Sequence, residues 1–145
     1  MSTDLVTLER RIDARPETVF SFFTDRNKWL SWMGQDGEFS FRPGGAYRTT
    51  VTGQNIAEGH FVDIDPPKRL VFTWGWLDND LGVPPGSTTV EITLEPDADG
   101  TLLRLVHRDL PSPQARAAHK DGWIHYTDRL ATLAEGGNPG PDSWM

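Results

Sequence analysis

Four histidines, two tyrosines and six tryptophans are the residues of this 145-residue chain best suited to move protons or grip a ring. Histidine titrates near neutral pH, so His60 and His107, each set in a stretch of alternating apolar and polar residues, are the candidates for a general base. Their strands are expected to be separated by two others, which puts them about 14 Å apart. At that distance they reach two ends of one ligand but not each other, so no relay is implied. His119 and His125 are six residues apart on a helical pattern and face different ways. The chain has no Gly-x-Ser-x-Gly elbow, no P-loop and no His-Glu-x-x-His pair. With no cysteine there is no disulfide, thiolate zinc site or Cys nucleophile. The reading is therefore of no catalytic constellation, no metal and no cofactor.

What remains is a set of polar side chains among aromatic ones. Period-two alternation turns Arg10, Tyr47, Glu58, His60 and His107 inward, and period-3.6 spacing does the same for His119 and Tyr126. An inward polar group needs a partner, and each alone reads as an ordinary core or rim residue. Several around one apolar cavity point to a pocket with a few orienting groups. The tryptophans Trp29, Trp32, Trp74, Trp76 and Trp123 carry the same two readings, core filler or cleft wall. The expected pocket comprises Arg10, Trp32, Phe39, Tyr47, His60, Phe72, Trp74, Trp76, His107, His119, Trp123 and Tyr126.

These residues need a scaffold. Leu5 to Ile12 alternates as a half-buried strand, and Arg15-Pro16-Glu17 opens a short helix with Val19, Phe20 and Phe23 on its apolar face. Asp25 caps a second short helix bearing Trp29, Trp32 and Met33. From Glu38 to Val106 the period is two, broken by turns such as Arg42-Pro43-Gly44-Gly45 and Asp65-Pro66-Pro67-Lys68. Strands are expected near 38–42, 45–52, 56–64, 69–77, 87–95 and 101–108, with a loop from Asp78 to Gly86. Besides the residues above, their inward set includes Phe41, Thr49, Val51, Val62, Ile64, Val90, Ile92, Leu94, Leu103 and Leu105. The last element runs from Pro111-Ser112-Pro113 to Gly136-Gly137. It is an amphipathic helix about 36 Å long, enough to lie along the whole sheet. The Pro- and Gly-rich residues 138–145 read as a mobile tail.

The composition agrees with one domain, residues 1–145, having enough apolar side chains (37%) to build one core. A net charge of −7 and no run of Lys or Arg argue against a nucleic-acid partner. No window approaches a membrane span and the N-terminus has no signal-like segment, so a cytoplasmic protein without membrane contact is expected.

Strand, two short helices, six antiparallel strands and a long terminal helix is the element order of the START-like (SRPBCC, helix-grip) superfamily. The implied α+β fold is a curved antiparallel sheet of about seven strands wrapped round the C-terminal helix. Ile12-Asp-Ala-Arg-Pro-Glu-Thr-Val-Phe20 resembles the first strand-to-helix junction of the branch named after activators of a heat-shock chaperone ATPase. Arg42-Pro-Gly-Gly-Ala-Tyr47 is similar to that branch's second hairpin, and Gly59-His-Phe-Val-Asp-Ile-Asp-Pro-Pro-Lys-Arg-Leu-Val-Phe-Thr-Trp74 to its central one. Gly122-Trp123, Tyr126, Leu130 and Gly136-Gly137-Asn-Pro139 are similar to its terminal helix. In the co-chaperones this domain follows a separate chaperone-binding domain. For single-domain members the resemblance implies a ligand cavity. The expected function is thus an apolar pocket for an apolar or aromatic small molecule, in a monomer or weak homodimer. Two alternatives stay open: a cyclase, dehydratase or hydrolase-like enzyme on an aromatic or polyketide-like substrate, and a chaperone-regulator-like interaction module with a filled pocket.

Overall fold

A computed structural model describes residues 5–78 and 82–144. The elements are β1 (Val6–Ile12), α1 (Pro16–Ser21), α2 (Arg26–Trp32), β2 (Asp36–Phe39), β3 (Ala46–Thr52), β4 (Asn55–Asp65), β5 (Arg69–Trp74), β6 (Thr88–Asp97), β7 (Gly100–Arg108) and α3 (Pro113–Ala134). All seven strands form one antiparallel sheet in the order β1-β7-β6-β5-β4-β3-β2. The sheet curves round α3, which is the expected α+β helix-grip fold. No helix among the described residues is long and apolar enough to cross a membrane.

The helix starts follow their sequence signals. Asp25 accepts a hydrogen bond from the Lys28 backbone N–H (3.0 Å) and Ser112 from that of Ala115 (3.1 Å). Pro16 and Pro113 occupy the first turns of α1 and α3. One stripe of α3, carrying His119, Trp123, Tyr126, Leu130 and Ala131, is buried against the sheet and the short helices.

At one end of the groove the rings of Phe23, Trp29, Trp32, Phe39, Phe41, Tyr47, Phe61 and Phe72 pack into one cluster with centroids 5–6.5 Å apart. Each such side chain contributes roughly 1.5–3 kcal/mol on burial, so this end is a filled core.

Three strands depart from the sequence reading. β2 ends at Phe39 rather than residue 42, because the Arg42–Gly45 turn closes early through Ser40 N–H to the Ala46 carbonyl (2.9 Å). Phe41 lies beyond the strand yet stacks on Phe39 at 5.2 Å. β5 stops at Trp74, since Gly75 passes so close to Pro84 that a Cβ would stand 1.7 Å from its carbonyl oxygen. Trp76 then bonds back to the Val83 carbonyl (2.8 Å) and keeps an isolated bridge to Ala57. Part of the expected loop after Asp78, residues 79–81, lies outside the described residues.

The largest correction is in β4. Ala57 and Phe61 are buried, whereas His60 and Val62 are exposed, and Glu58 pairs with Arg48 on the outer face. Counting back by twos from Ile64, which does pack on the core, would turn His60 and Val62 inward. A register shift between Phe61 and Asp63 breaks that count. Gly59 takes the inward place beside Tyr47, and a Cβ there would meet the Thr73 carbonyl oxygen at 2.2 Å.

The outer face carries ion pairs: Arg69 lies between Asp63 and Glu91, Arg108 also reaches Glu91, and Arg104 lies between Glu9 and Glu95. At the β2 edge the Arg26 guanidinium reaches the Gly37 carbonyl (2.7 Å) and the Asp36 carboxylate (2.8 Å).

Candidate ligand cleft

Away from the aromatic cluster, α3 and the sheet diverge and leave a cleft of about 190 Å³. Its sheet-side walls are Val51 and Thr52 at the end of β3, Trp74 at the end of β5, and Trp76; Met33, after α2, closes one side. The helix contributes His119, Trp123 and Tyr126, together with Ala118 and Gly122. Those two small residues, four apart on one face, are where the helix leaves room. Trp144, from the chain's last residues, lies over Gly122 and completes the lining. None of the lining residues carries a fixed charge.

Two histidines sit in or behind the wall, and their hydrogen bonds assign their tautomers. His119 Nδ1–H donates to the Ala115 carbonyl (2.7 Å), leaving Nε2 to accept from Trp76 Nε1–H (3.0 Å). His107 is fully buried, and its Nδ1 accepts from Trp123 Nε1–H (3.0 Å). Its Nε2–H therefore donates to Thr88 Oγ1 (2.8 Å), whose own proton goes to the Trp74 carbonyl (2.8 Å). The result is a directed chain from Trp123 through His107 and Thr88 to Trp74. Burial holds the His107 pKa well below its ordinary value, with neighbouring His119 adding to the effect. Burial also lowers that of His119, against the opposing bond to Ala115. Both rings are neutral and both nitrogens of each are occupied, so neither offers a free lone pair to a substrate. The rings are 5.1 Å apart, edge to face.

A second polar group stands at the mouth. Asp142 accepts from the Tyr126 hydroxyl (2.7 Å) and the Trp144 backbone N–H (2.9 Å), and its other contact is His125 Nε2 (2.7 Å). Burial would raise its pKa, but the bonds from Trp144, Tyr126 and His125 outweigh that and hold it below the usual carboxylate range. Burial and the bond to Asp142 raise that of Tyr126. Within the tail 138–145 that composition reads as mobile, Gly140, Asp142 and Trp144 have partners on α3.

Of the twelve residues expected in the pocket, Trp74, Trp76, His119, Trp123 and Tyr126 meet in this cleft, and His107 stands one layer behind it. Trp32, Phe39, Tyr47 and Phe72 belong to the filled end instead. There the Trp32 indole N–H reaches the Phe22 carbonyl (3.0 Å), and the buried Tyr47 hydroxyl reaches that of Thr73. Burial raises the Tyr47 pKa well above its ordinary value, aided by Glu58. Arg10 is on the helix-facing side of β1 but half exposed at the rim, paired with Asp128 of α3. His60 is on the outer face, so the two-ended grip by His60 and His107 is not formed.

Met33, Val51, Thr52, Ala118, Gly122 and Trp144 were not among the expected pocket residues, although Val51 was expected to face inward. The Ala118/Gly122 spacing is a legible signal for a gap beside a helix; nothing local ties Trp144 to a site. Among the described residues no group of His, Asp or Glu could hold a metal ion. The indole nitrogens of Trp29 and Trp74 are the buried side-chain polar atoms left without a partner among those residues.

No protein of curated function matches this chain. An AHSA1-like protein of Rhizobium etli, solved by NMR, is 44% identical over 97% of this chain and 88% of its own, with a TM-score of 0.77. CalU16 of Micromonospora echinospora is 28% identical over 91% of this chain and 76% of its own, with a TM-score of 0.72. DynU16, from the dynemicin biosynthetic locus, is 25% identical and superposes at a TM-score of 0.84; its match covers 99% of this chain but 52% of DynU16. Residues 13–135 match the family described as Activator of Hsp90 ATPase homolog 1-like protein. The helix-grip fold, that match and the 44%-identical relative place this chain in the AHSA1-like family, within the START-like superfamily.

Proposed function

We propose that this chain binds an uncharged aromatic small molecule in the cleft between α3 and the sheet. The observation that carries the reading is the lining itself: Trp74, Trp76, Trp123, Trp144, Tyr126 and Met33 round a void with no charged side chain. A cavity of about 150 Å³ already accepts benzene, so this one suits a single or fused ring whose remainder extends toward the mouth. Burying about 150–250 Å² of ring surface gives a gross gain of about 4–6 kcal/mol, from which the cost of association must be taken. A Kd of about 40 μM at best follows. The likeness to DynU16, a protein of a biosynthetic locus, is in keeping with a small-molecule ligand. Catalysis is the weaker reading, because His119 would first have to give up Trp76 to act as a base.

The test pairs 2-naphthol with 2-naphthoate. Naphthol should quench tryptophan fluorescence, and at a hundred times its Kd it should add about 2.7 kcal/mol of stability, seen as a raised Tm. Naphthoate, whose carboxylate finds no cation in the lining, should bind at least tenfold more weakly. Absence of any naphthol signal, or equal affinity for the two, would remove the proposal.

A further inference from the structure

Residues 138–144 leave the end of α3 and turn back along it, held at several points. Arg129 Nη1–H donates to the Gly140 carbonyl (3.0 Å). The Asp142 carboxylate, 1% exposed, takes the three contacts with Tyr126, His125 and the Trp144 N–H described above. The Trp144 indole stacks on the His125 imidazole, centroids 4.0 Å apart and planes 3° from parallel. All these anchors stand on α3, at 125, 126 and 129, while the opposite wall of the cleft, Trp74 and Trp76, belongs to the sheet side. A segment fastened to one wall alone swings clear without unpicking the fold. Trp144 remains 49% exposed although it lines the cleft, so one part of its ring is offered to whatever enters.

We infer that residues 138–144 are a closing strap over the cleft, latched by Asp142, and that Trp144 is its movable wall. The inference rests on the binding reading above. The strap stacks its indole against the ligand's ring, favours flat molecules over bulky ones, and sets the rate at which ligand leaves. Binding without the latch would still occur on Trp74, Trp76 and Trp123, but exchange would be fast.

Stopped-flow quenching by 2-naphthol tests this on wild type, Asp142→Ala, Trp144→Ala and Trp144→Phe. Asp142→Ala and Trp144→Ala should each raise koff at least tenfold with little change in kon, and Trp144→Phe should recover most of the wild-type value. In wild-type protein labelled with 5-fluorotryptophan, the Trp144 ¹⁹F resonance, assigned from Trp144→Phe, should shift on adding naphthol. This second measurement holds even where a latch variant folds poorly. Binding with koff within twofold of wild type in both alanine variants, or an unmoved Trp144 resonance at saturation, overturns the strap alone. Failure of the wild type to bind naphthol overturns the binding reading and takes the strap with it.

Discussion

Replacing His107 with Phe would keep a flat ring in the same space while deleting both of its hydrogen bonds. The Trp123 indole N–H would lose its acceptor, and Thr88 Oγ1 would lose a donor while keeping its bond to the Trp74 carbonyl. Stranding one buried donor and losing one further bond costs about 2–4 kcal/mol at pH 8, where His107 is neutral in the folded and the unfolded chain. Acid changes the comparison. Because burial depresses the folded pKa of His107, the unfolded chain takes up a proton first as pH falls below about 6.5. Stability that is complete above that value is therefore lost on the acid side, by about 1.4 kcal/mol for this residue between pH 8 and 5.5. The Phe variant has no such proton to take up at position 107. The gap between wild type and variant should narrow to about 0.6–2.6 kcal/mol at pH 5.5. Guanidinium unfolding at pH 8, 7, 6 and 5.5 measures it, with His119 contributing the same slope to both proteins. A gap that stays constant across the series would mean that His107 protonates as readily in the folded protein as in the unfolded one, and the directed chain would be wrong.

Gly59→Ala should lower stability by about 1–3 kcal/mol or more, since the new Cβ meets main-chain atoms of Thr73 that cannot swing aside; a guanidinium midpoint unchanged from wild type would contradict that close approach. His60→Ala should change stability by no more than about 0.5 kcal/mol and leave the Kd for 2-naphthol as it was. A tenfold weaker Kd would return His60 to the inner face and undo the assigned phase of β4.

The fold was legible because two periods and a few caps suffice for it. Alternation in β6 and β7 places Val90, Ile92, Leu94, Leu103, Leu105 and His107 on the buried face as expected. The helical spacing likewise brings His119, Trp123, Tyr126 and Leu130 to the buried stripe. Periodicity fails where the backbone inserts a residue. The shift after Phe61 costs nothing visible in composition, yet it reverses His60 and Val62. The division of the inner face into filled core and open cleft was also hidden. Tyr47 and Trp74 are both aromatic, both inward and 6.5 Å apart, but α2 drops Trp29 against the first while Ala118 and Gly122 leave space near the second. That difference depends on which elements converge, a property of the assembled fold. The strap was out of reach for another reason: Asp142 and Trp144 gain their meaning from residues 16 to 19 positions earlier, and a Pro-Gly run between them reads only as the end of a helix.

The two outer strands of this open sheet bear on how copies of the chain meet in a crowded solution. An unpaired strand edge is a template on which another chain can build. Here β2 offers only four residues, and the Gly37 carbonyl is already taken by Arg26. At the other end, β1 carries the charged run Glu9, Arg10 and Arg11, whose side chains alternate between the two faces and are already paired with Arg104, Asp128 and Asp13, so charged groups flank that edge on both faces. Strand addition is thus discouraged at both ends. With both edges blunted in this way, the sheet faces and α3 are better placed than the strand edges for any contact between folded copies.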